Sequence, residues 1–344
     1  MSTKQLILVT GINGFLGAHV VDQLVKAGYR VRGTVRSSKL EFARENNAAY
    51  GSDVEVIAFD DLASGDFTTA LQGVDAVIHA AAPMPGVDSA ENSLTASIDG
   101  AVNILRQAEK AGVKRFVLVS SQATVRLPND VATPWKETDW FEITREQALA
   151  SQHPGLVYIA EKVLAERAVW DFAEKHPGID VTVLNPPAFI GPFAPNFRFT
   201  DALVSQMSTN SLLYQLLNPS GTFFMDYLLM IDIRDVARAF VHALTTPTDV
   251  GRKRILVVPY SVSWRDVAEL VAKERPELKD RISKPALTDY LHPAPENPAA
   301  DATRRALELL KMGELIDWRK SVLDGVDSIL DAEKVYAKEG KTFH

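Results

Sequence analysis

The chain has 344 residues, 46% of them hydrophobic and 24% charged, which is enough apolar material for one large domain or two smaller ones. A net charge of -7 and a pI near 5.6 argue against a protein that grips nucleic acid through a broad basic surface. The absence of cysteine excludes disulfides, thiolate catalysis and Cys-zinc sites, and the 7 histidines form no HExxH pair that would suit a catalytic metal.

In chain order, "QLILVTG" reads as a buried strand, and helical spacing follows from Phe15 to Ala27, stopping at Gly28. "RVRGTV", "VEVIAFD" and "VDAVIHAA" read as the second, third and fourth strands. "NILRQAEKAG" is helical and again stops at glycine. "KRFVLVSS" and "IDVTVLNPP" are the fifth and sixth strands, with a helix from Gly155 to Phe172 between them. Strands alternating with helices predict an α/β fold, a doubly wound parallel sheet of the Rossmann type. Residues 191–230 lose this rhythm. "IDIRDVARAFVHAL" then reads as a helix, "RKRILVV" as one more strand, and the tail from Trp264 as mostly helical. The expected division is a nucleotide-binding core of residues 1–185 plus about 231–260, with a smaller, discontinuous C-terminal substrate lobe of about 186–230 plus 261–344.

"LVTGINGFLGAHV" places Gly11, Gly14 and Gly17 after the first strand and at the mouth of the first helix. A dinucleotide pyrophosphate needs close backbone approach and a helix N-terminus facing its charge. Gly11 would allow the tight turn, Gly14 the close approach and Gly17 the packing of helix on strand. The spacing is GxxGxxG rather than GxGxxG, so its position in a βαβ series carries the reading. The plainer alternative is a turn with packing roles alone.

The second strand indicates which dinucleotide. Between Tyr29 and Leu40 stand Arg30, Arg32, Arg36 and Lys39 and no acid, a pattern for the 2'-phosphate of NADP. Arg36 is the first choice and Arg32 the next. Asp60, ending the third strand, is a candidate acceptor for the adenine amino group, or else a turn residue. The expected cofactor contacts are Gly11, Asn13, Gly14, Phe15, Leu16, Gly17, Arg32, Arg36, Lys39, Asp60, Leu62, Ala80, Ala81, Ala82, Tyr158, Lys162, Pro186 and Phe189. Ala80–Ala82 leave room beside the cofactor or simply pack, and Pro186 ends its strand and stiffens the loop beyond.

Tyr158 and Lys162 are four residues apart and share a face if helical. A free tyrosine has a pKa of about 10. A nearby ammonium favours phenolate and would lower that value, making the tyrosine a better proton donor to a carbonyl oxygen. Lys162 also has donors to spare for ribose hydroxyls. Ser120 and Ser121 end the fifth strand, where a hydroxyl can polarise a substrate oxygen. Phe193, Phe197, Trp135, Trp140, Met84 and Tyr227 are candidate walls of an apolar substrate pocket.

"VTGINGFLGAHVV", "VRGTVRS", "VDAVIHAAAP", "FVLVSSQATV", "YIAEKVLAERAVWDF", "LNPPAFIGP" and "DIRDVARAFVHAL" together resemble the extended short-chain dehydrogenases/reductases. The branch they are most similar to holds plant dihydroflavonol reductases and fungal aldehyde, ketone and methylglyoxal reductases. The resemblance covers about residues 5–245. It implies a catalytic set of Ser121, Tyr158 and Lys162, NADP as cofactor, and reduction of aldehydes or ketones, by a monomer or homodimer. It selects Ser121 over Ser120. Gln122 departs from the Ala or Tyr usual after that serine, and Glu161 stands where serine is common before the lysine.

The leading expectation is therefore an NADPH-dependent carbonyl reductase. A sugar-nucleotide epimerase or dehydratase with bound NAD uses the same core but is disfavoured by the basic second strand. A regulatory NADP-binding protein without catalysis is disfavoured by the presence of all three catalytic residues. With no signal peptide or membrane span in the sequence, the cytoplasm is the expected location.

Overall fold

The run Leu6–Thr10 forms the first strand, β1, and every residue in it is buried, as a strand covered on both faces requires. In this computed structural model, which describes residues 4–81, 89–127, 130, 134–151, 153–199, 204–222, 227–287 and 293–343, a regular alternation follows. After β1 come α1 (Phe15–Lys26), β2 (Arg30–Val35), α2 (Leu40–Asn47), β3 (Val54–Ala58), β4 (Ala76–His79), α3 (Ala90–Lys110) and β5 (Arg115–Val119). Then come α4 (Arg145–Ser151), α5 (Pro154–Lys175), β6 (Asp180–Asn185), β7 (Ala188–Ile190), α6 (Ser211–Leu216), β8 (Leu228–Asp232) and α7 (Ile233–Ala243). The chain continues through β9 (Lys253–Leu256), β10 (Tyr260–Val262), α8 (Trp264–Glu274), α9 (Ala300–Leu309) and α10 (Trp318–Lys338). The expected contacts Ala82 and Met84 lie outside the described residues.

The main sheet is 7-stranded, in the order β3-β2-β1-β4-β5-β6-β9, and its neighbouring strands are parallel. Side-chain alternation along β1 feeds two cores. Ile7 and Val9 pack with Val20 and Leu24 of α1 and Phe240 of α7. Leu6 and Leu8 pack with Ile104 of α3 and Trp170 of α5 on the opposite face. The strand order reverses between β1 and β4. Their connections leave in opposite directions and open a crevice at the C-terminal ends of the strands.

Gly28 and Gly112 take φ of +88 and +84 just past α1 and α3, so both glycines stop helices as their positions suggest. α3 begins well before the expected Asn103, with Ser89 accepting the Asn92 N–H at 3.3 Å as its N-cap. Its polar first half hid the spacing of Leu94, Ile98 and Ala101 from sequence reading.

Pro186 and Pro187 end β6, and the chain then leaves the main sheet. β7 joins a 3-stranded sheet, β10-β8-β7, in which β7 runs parallel and β10 antiparallel to β8. These short strands were not legible in the sequence. Ile231 and Asp232, read as helix, belong to β8, and Asp232 caps α7 by accepting the Arg234 N–H at 2.7 Å. Ile190, Met230 and Val262 from the small sheet share a core with Leu213, Val267 and Val326 of α6, α8 and α10. Among the described residues no helix is long and apolar enough to cross a membrane, and no cluster of side chains could hold a metal ion.

Candidate active site

β1 delivers the chain to Gly11 at the crevice. Gly11 adopts φ +73, and its N–H donates to Thr34 O of β2 at 3.1 Å, tying the turn to the next strand. A Cβ at Gly11 would approach Ala81 Cα to 3.0 Å, and one at Gly17 would lie 2.1 Å from the Gly11 carbonyl oxygen. Gly17 is what allows α1 to start this close to the turn. Gly14 is the N-cap residue of α1. No side chain caps this end, and the first turn carries no acid. The first N–H groups of α1, on Phe15 and Leu16 among others, and the positive end of its dipole therefore face the crevice uncompensated. Asn13 and the exposed Gly14 flank that opening. This is a fit for a pyrophosphate, made by backbone alone.

Arg36 is exposed at the end of β2, and among the described residues it forms no ion pair. Arg32, the second choice, is engaged within the protein. Its Nε pairs with Glu55 at 3.0 Å, and its Nη1 donates to the carbonyls of Ala70 and Gln72 at 3.0 and 2.8 Å. It lies in register with Leu8, and its guanidinium is engaged by these three partners. Lys39 is half-buried and caps α2. Asp60 accepts the Ser37 N–H at 2.7 Å and also the Ser37 hydroxyl. These hydrogen bonds, the hydroxyl first, hold its carboxyl below the ordinary value. Asp60 thus ties the loop after β3 to the turn that carries Arg36. Leu62 packs against Gly100, and its carbonyl accepts from Asn103 Nδ2 at 3.1 Å.

At the end of β4, the N–H groups of Ala80 and Ala81 both donate to Thr10 Oγ1, at 3.2 and 3.1 Å. With its lone pairs used, the Thr10 hydroxyl sends its proton to His79 Nδ1, 2.8 Å away. Burial, followed by the charge of Lys162, pushes His79 down to about 3, so it is a neutral structural acceptor. Pro186 is buried and its carbonyl accepts the Gln122 N–H at 2.9 Å, while the Phe189 ring lies 6.0 Å from Phe15.

The catalytic candidates lie next to one another. Ser121 is buried at the end of β5. Its Oγ accepts the Ala123 N–H at 3.2 Å, capping a one-turn helix. Ser120 points elsewhere, donating to Glu166 Oε2 at 2.6 Å. Tyr158 and Lys162 occupy successive turns of α5, with Lys162 Nζ 5.9 Å from the centre of the tyrosine ring. Both side chains keep part of their surface accessible while enclosed by protein atoms. Burial pushes the Tyr158 phenol above its ordinary value; the adjacent Ser121 hydroxyl opposes this and Glu161 adds to it. Burial also pushes Lys162 down, against Glu161 and Glu166. Lys162 is not among the groups that shift Tyr158; desolvation dominates instead and keeps the phenol protonated at neutral pH.

Of the proposed walls, Trp135 and Tyr227 are buried and Trp140 is half-buried. Trp135 is 1% exposed, donates from Nε1 to Asp130 O at 2.6 Å, and packs with Val125 and with Tyr227, itself buried. Trp140 lies under the Arg254 guanidinium, 3.8 Å from its ring centre. Phe193 stacks on Phe197 at 5.4 Å and meets Phe15 at 5.6 Å, so this pair borders the glycine turn. Sequence reading missed a buried polar cluster under Ser121, made of Glu166, Thr124, Asn185 and Arg254. The available signals were a carboxylate one helical turn past Lys162 and an arginine in the apolar run "RILVV".

The NAD dependent epimerase/dehydratase family model matches residues 7–258. A protein assigned as an NADPH-dependent methylglyoxal reductase in Candida albicans, GRP2, is 33% identical over 351 residues, covering 96% of this chain and 100% of that one. The ketoreductase azaE of Aspergillus niger is 30% identical over 350 residues, covering 96% and 99%. The crystal structure of yeast methylglyoxal/isovaleraldehyde reductase Gre2 complexed with NADPH superposes with a TM-score of 0.83 at 25% identity, covering 96% of this chain and 99% of that one. With the model spanning most of the chain and the turn, sheet order and crevice as described, this protein belongs to the NAD dependent epimerase/dehydratase family.

Proposed function

We propose that this protein is an NADPH-dependent reductase that converts the carbonyl of a small aldehyde or ketone to an alcohol. The observation that carries the reading is the convergence of Ser121, Tyr158 and Lys162, in a fold whose glycine turn also offers an uncapped helix N-terminus. Relatives that act on methylglyoxal, isovaleraldehyde and ketones, one of them with NADPH bound, support the substrate class and the cofactor.

The turn from Gly11 to Gly17 would hold the pyrophosphate, and Arg36 the 2'-phosphate. When bound, the reduced nicotinamide supplies hydride. Ser121 donates a hydrogen bond to the substrate oxygen and orients it. Tyr158, kept protonated by its burial, delivers the proton to that oxygen. Lys162 stabilises the phenolate left behind and donates to ribose hydroxyls. The small sheet and α6, α8 and α10 form the substrate lobe. Phe193 and Phe197 give its border an apolar character that suits apolar or aromatic carbonyl compounds.

The test is NADPH oxidation followed at 340 nm with isovaleraldehyde, methylglyoxal and aryl ketones, alongside UDP- and dTDP-sugars. Turnover of carbonyl compounds with NADPH and none of the sugar nucleotides is expected. Sugar-nucleotide conversion without net cofactor consumption would replace this reading by the epimerase one.

A further inference from the structure

Glu166 has no exposed surface and lies on the same face of α5 as Tyr158 and Lys162, one turn beyond the lysine. Its Oε2 accepts from Ser120 Oγ at 2.6 Å, Thr124 Oγ1 at 2.8 Å and Asn185 Nδ2 at 2.8 Å. Its Oε1 accepts from Arg254 Nε at 2.5 Å and Trp170 Nε1 at 3.3 Å. The cluster leads directly to Ser121, whose carbonyl oxygen accepts from Thr124 Oγ1 at 2.9 Å and Asn185 Nδ2 at 3.2 Å. Arg254 closes the far side. It donates to Thr124 Oγ1 at 2.9 Å and to Glu137 O at 2.8 Å, reaches Asp139 O, and covers the Trp140 ring. Four separate elements, namely α5, the turn after β5, the end of β6, and β9, thus meet on one carboxylate.

We propose that Glu166, paired with Arg254, is a positioning residue that fixes the Ser121 hydroxyl against the phenol of Tyr158. The inference rests on the catalytic reading of Ser121 and Tyr158 given above. Thr124 shows how tightly the register is set. Its two lone pairs receive Arg254 Nη2 and Asn185 Nδ2, so its single proton must go to Glu166 or to the Ser121 carbonyl. A shift of the serine turn relative to α5 would break several of these bonds together. Stability alone does not account for the cluster, because a buried ion pair replaced by apolar groups is often no less stable. A requirement for one fixed geometry does account for it, since small displacements in an active site cost rate more than they cost folding. Glu166 also opposes the loss of charge from Lys162, which places a second consequence of the same carboxylate on the catalytic helix.

The test is a double-mutant cycle of Glu166→Gln and Ser121→Ala, measured with NADPH and isovaleraldehyde, with Tm and NADPH affinity recorded for each variant. Ser121→Ala is expected to lower kcat by about 100-fold or more, as for loss of a donor to a developing oxyanion. Glu166→Gln is expected to lower kcat by about 10-fold or more with NADPH affinity within about twofold, on the premise that misplacing a catalytic group costs rate. The double variant should be no slower than Ser121→Ala within about twofold, because groups that act as a unit are not additive. Multiplying losses, or a wild-type kcat for Glu166→Gln, would overturn the inference and leave the catalytic reading standing. A wild-type rate for Ser121→Ala would overturn both. If the unpaired Arg254 prevents Glu166→Gln from folding, Glu166→Gln/Arg254→Met buries no charge and takes its place in the cycle, with the same outcomes.

Discussion

A methyl group on Gly17 would lie 2.1 Å from the carbonyl oxygen of Gly11, inside the distance at which any two such atoms can coexist. The first turn of α1 and the glycine turn are in contact through backbone alone. Gly17→Ala must therefore push the helix off the turn. We expect a loss of about 1–3 kcal/mol of stability, the usual cost of overpacking, seen as a lower Tm. NADPH affinity should fall in the same variant. An unchanged Tm would mean that α1 does not pack in this way.

Tyr158→Phe removes one oxygen and keeps the ring. A proton donor in the transition state contributes about 10²–10⁴-fold, so kcat should drop by that order. NADPH affinity, measured by fluorescence titration, should stay within about twofold. Activity that survived the change would remove Tyr158 from the reaction.

Arg32, within β2, and Arg36, just past its end, have different surroundings. Arg36→Ala should raise the KM for NADPH by roughly 10-fold or more, the scale of a lost hydrogen bond between charged groups, and leave that for NADH unchanged. Arg32→Ala releases Glu55 and two carbonyls, so it should lower Tm without altering the preference between the two coenzymes. Equal effects of Arg36→Ala on both coenzymes would refute its role.

His79 supplies a pH prediction. Its pKa falls from 6.5 to about 3 on burial, so the folded protein binds fewer protons than the unfolded chain. The stability this represents is fully present above 6.5 and is lost as the pH falls toward about 3. His79→Asn keeps an acceptor for the Thr10 hydroxyl and removes the titration. Its Tm should decline less steeply than that of the parent between those pH values. Parallel curves would show that His79 does not carry the acid sensitivity.

The juxtaposition of Tyr158 and Lys162 was legible because both residues lie on one helix, where spacing dictates a shared face. The glycine turn was legible because it follows the first strand directly. The state of Tyr158 was not, since its pKa depends on how much protein surrounds the ring, and that is set by elements distant in sequence. Arg32 and Arg36 look alike in the sequence. Only the register of β2 against β3 sets Arg32 beside Glu55, while Arg36 lies past the end of the strand and is exposed. The burial of Trp135 was not legible, because aromatic character does not reveal which neighbours cover a ring.

The sequence by itself determined the parallel sheet, the order of its elements, the helix stops at Gly28 and Gly112, and the pairing of Tyr158 with Lys162. Each follows from local periodicity or from the conformational range of single residues. Tertiary structure alone decided that Ser120 turns to Glu166, that Arg32 is held by Glu55 and two carbonyls, and that Glu166 and Arg254 meet beneath Ser121. Those outcomes depend on contacts between residues up to 130 positions apart, whose energies no local pattern encodes.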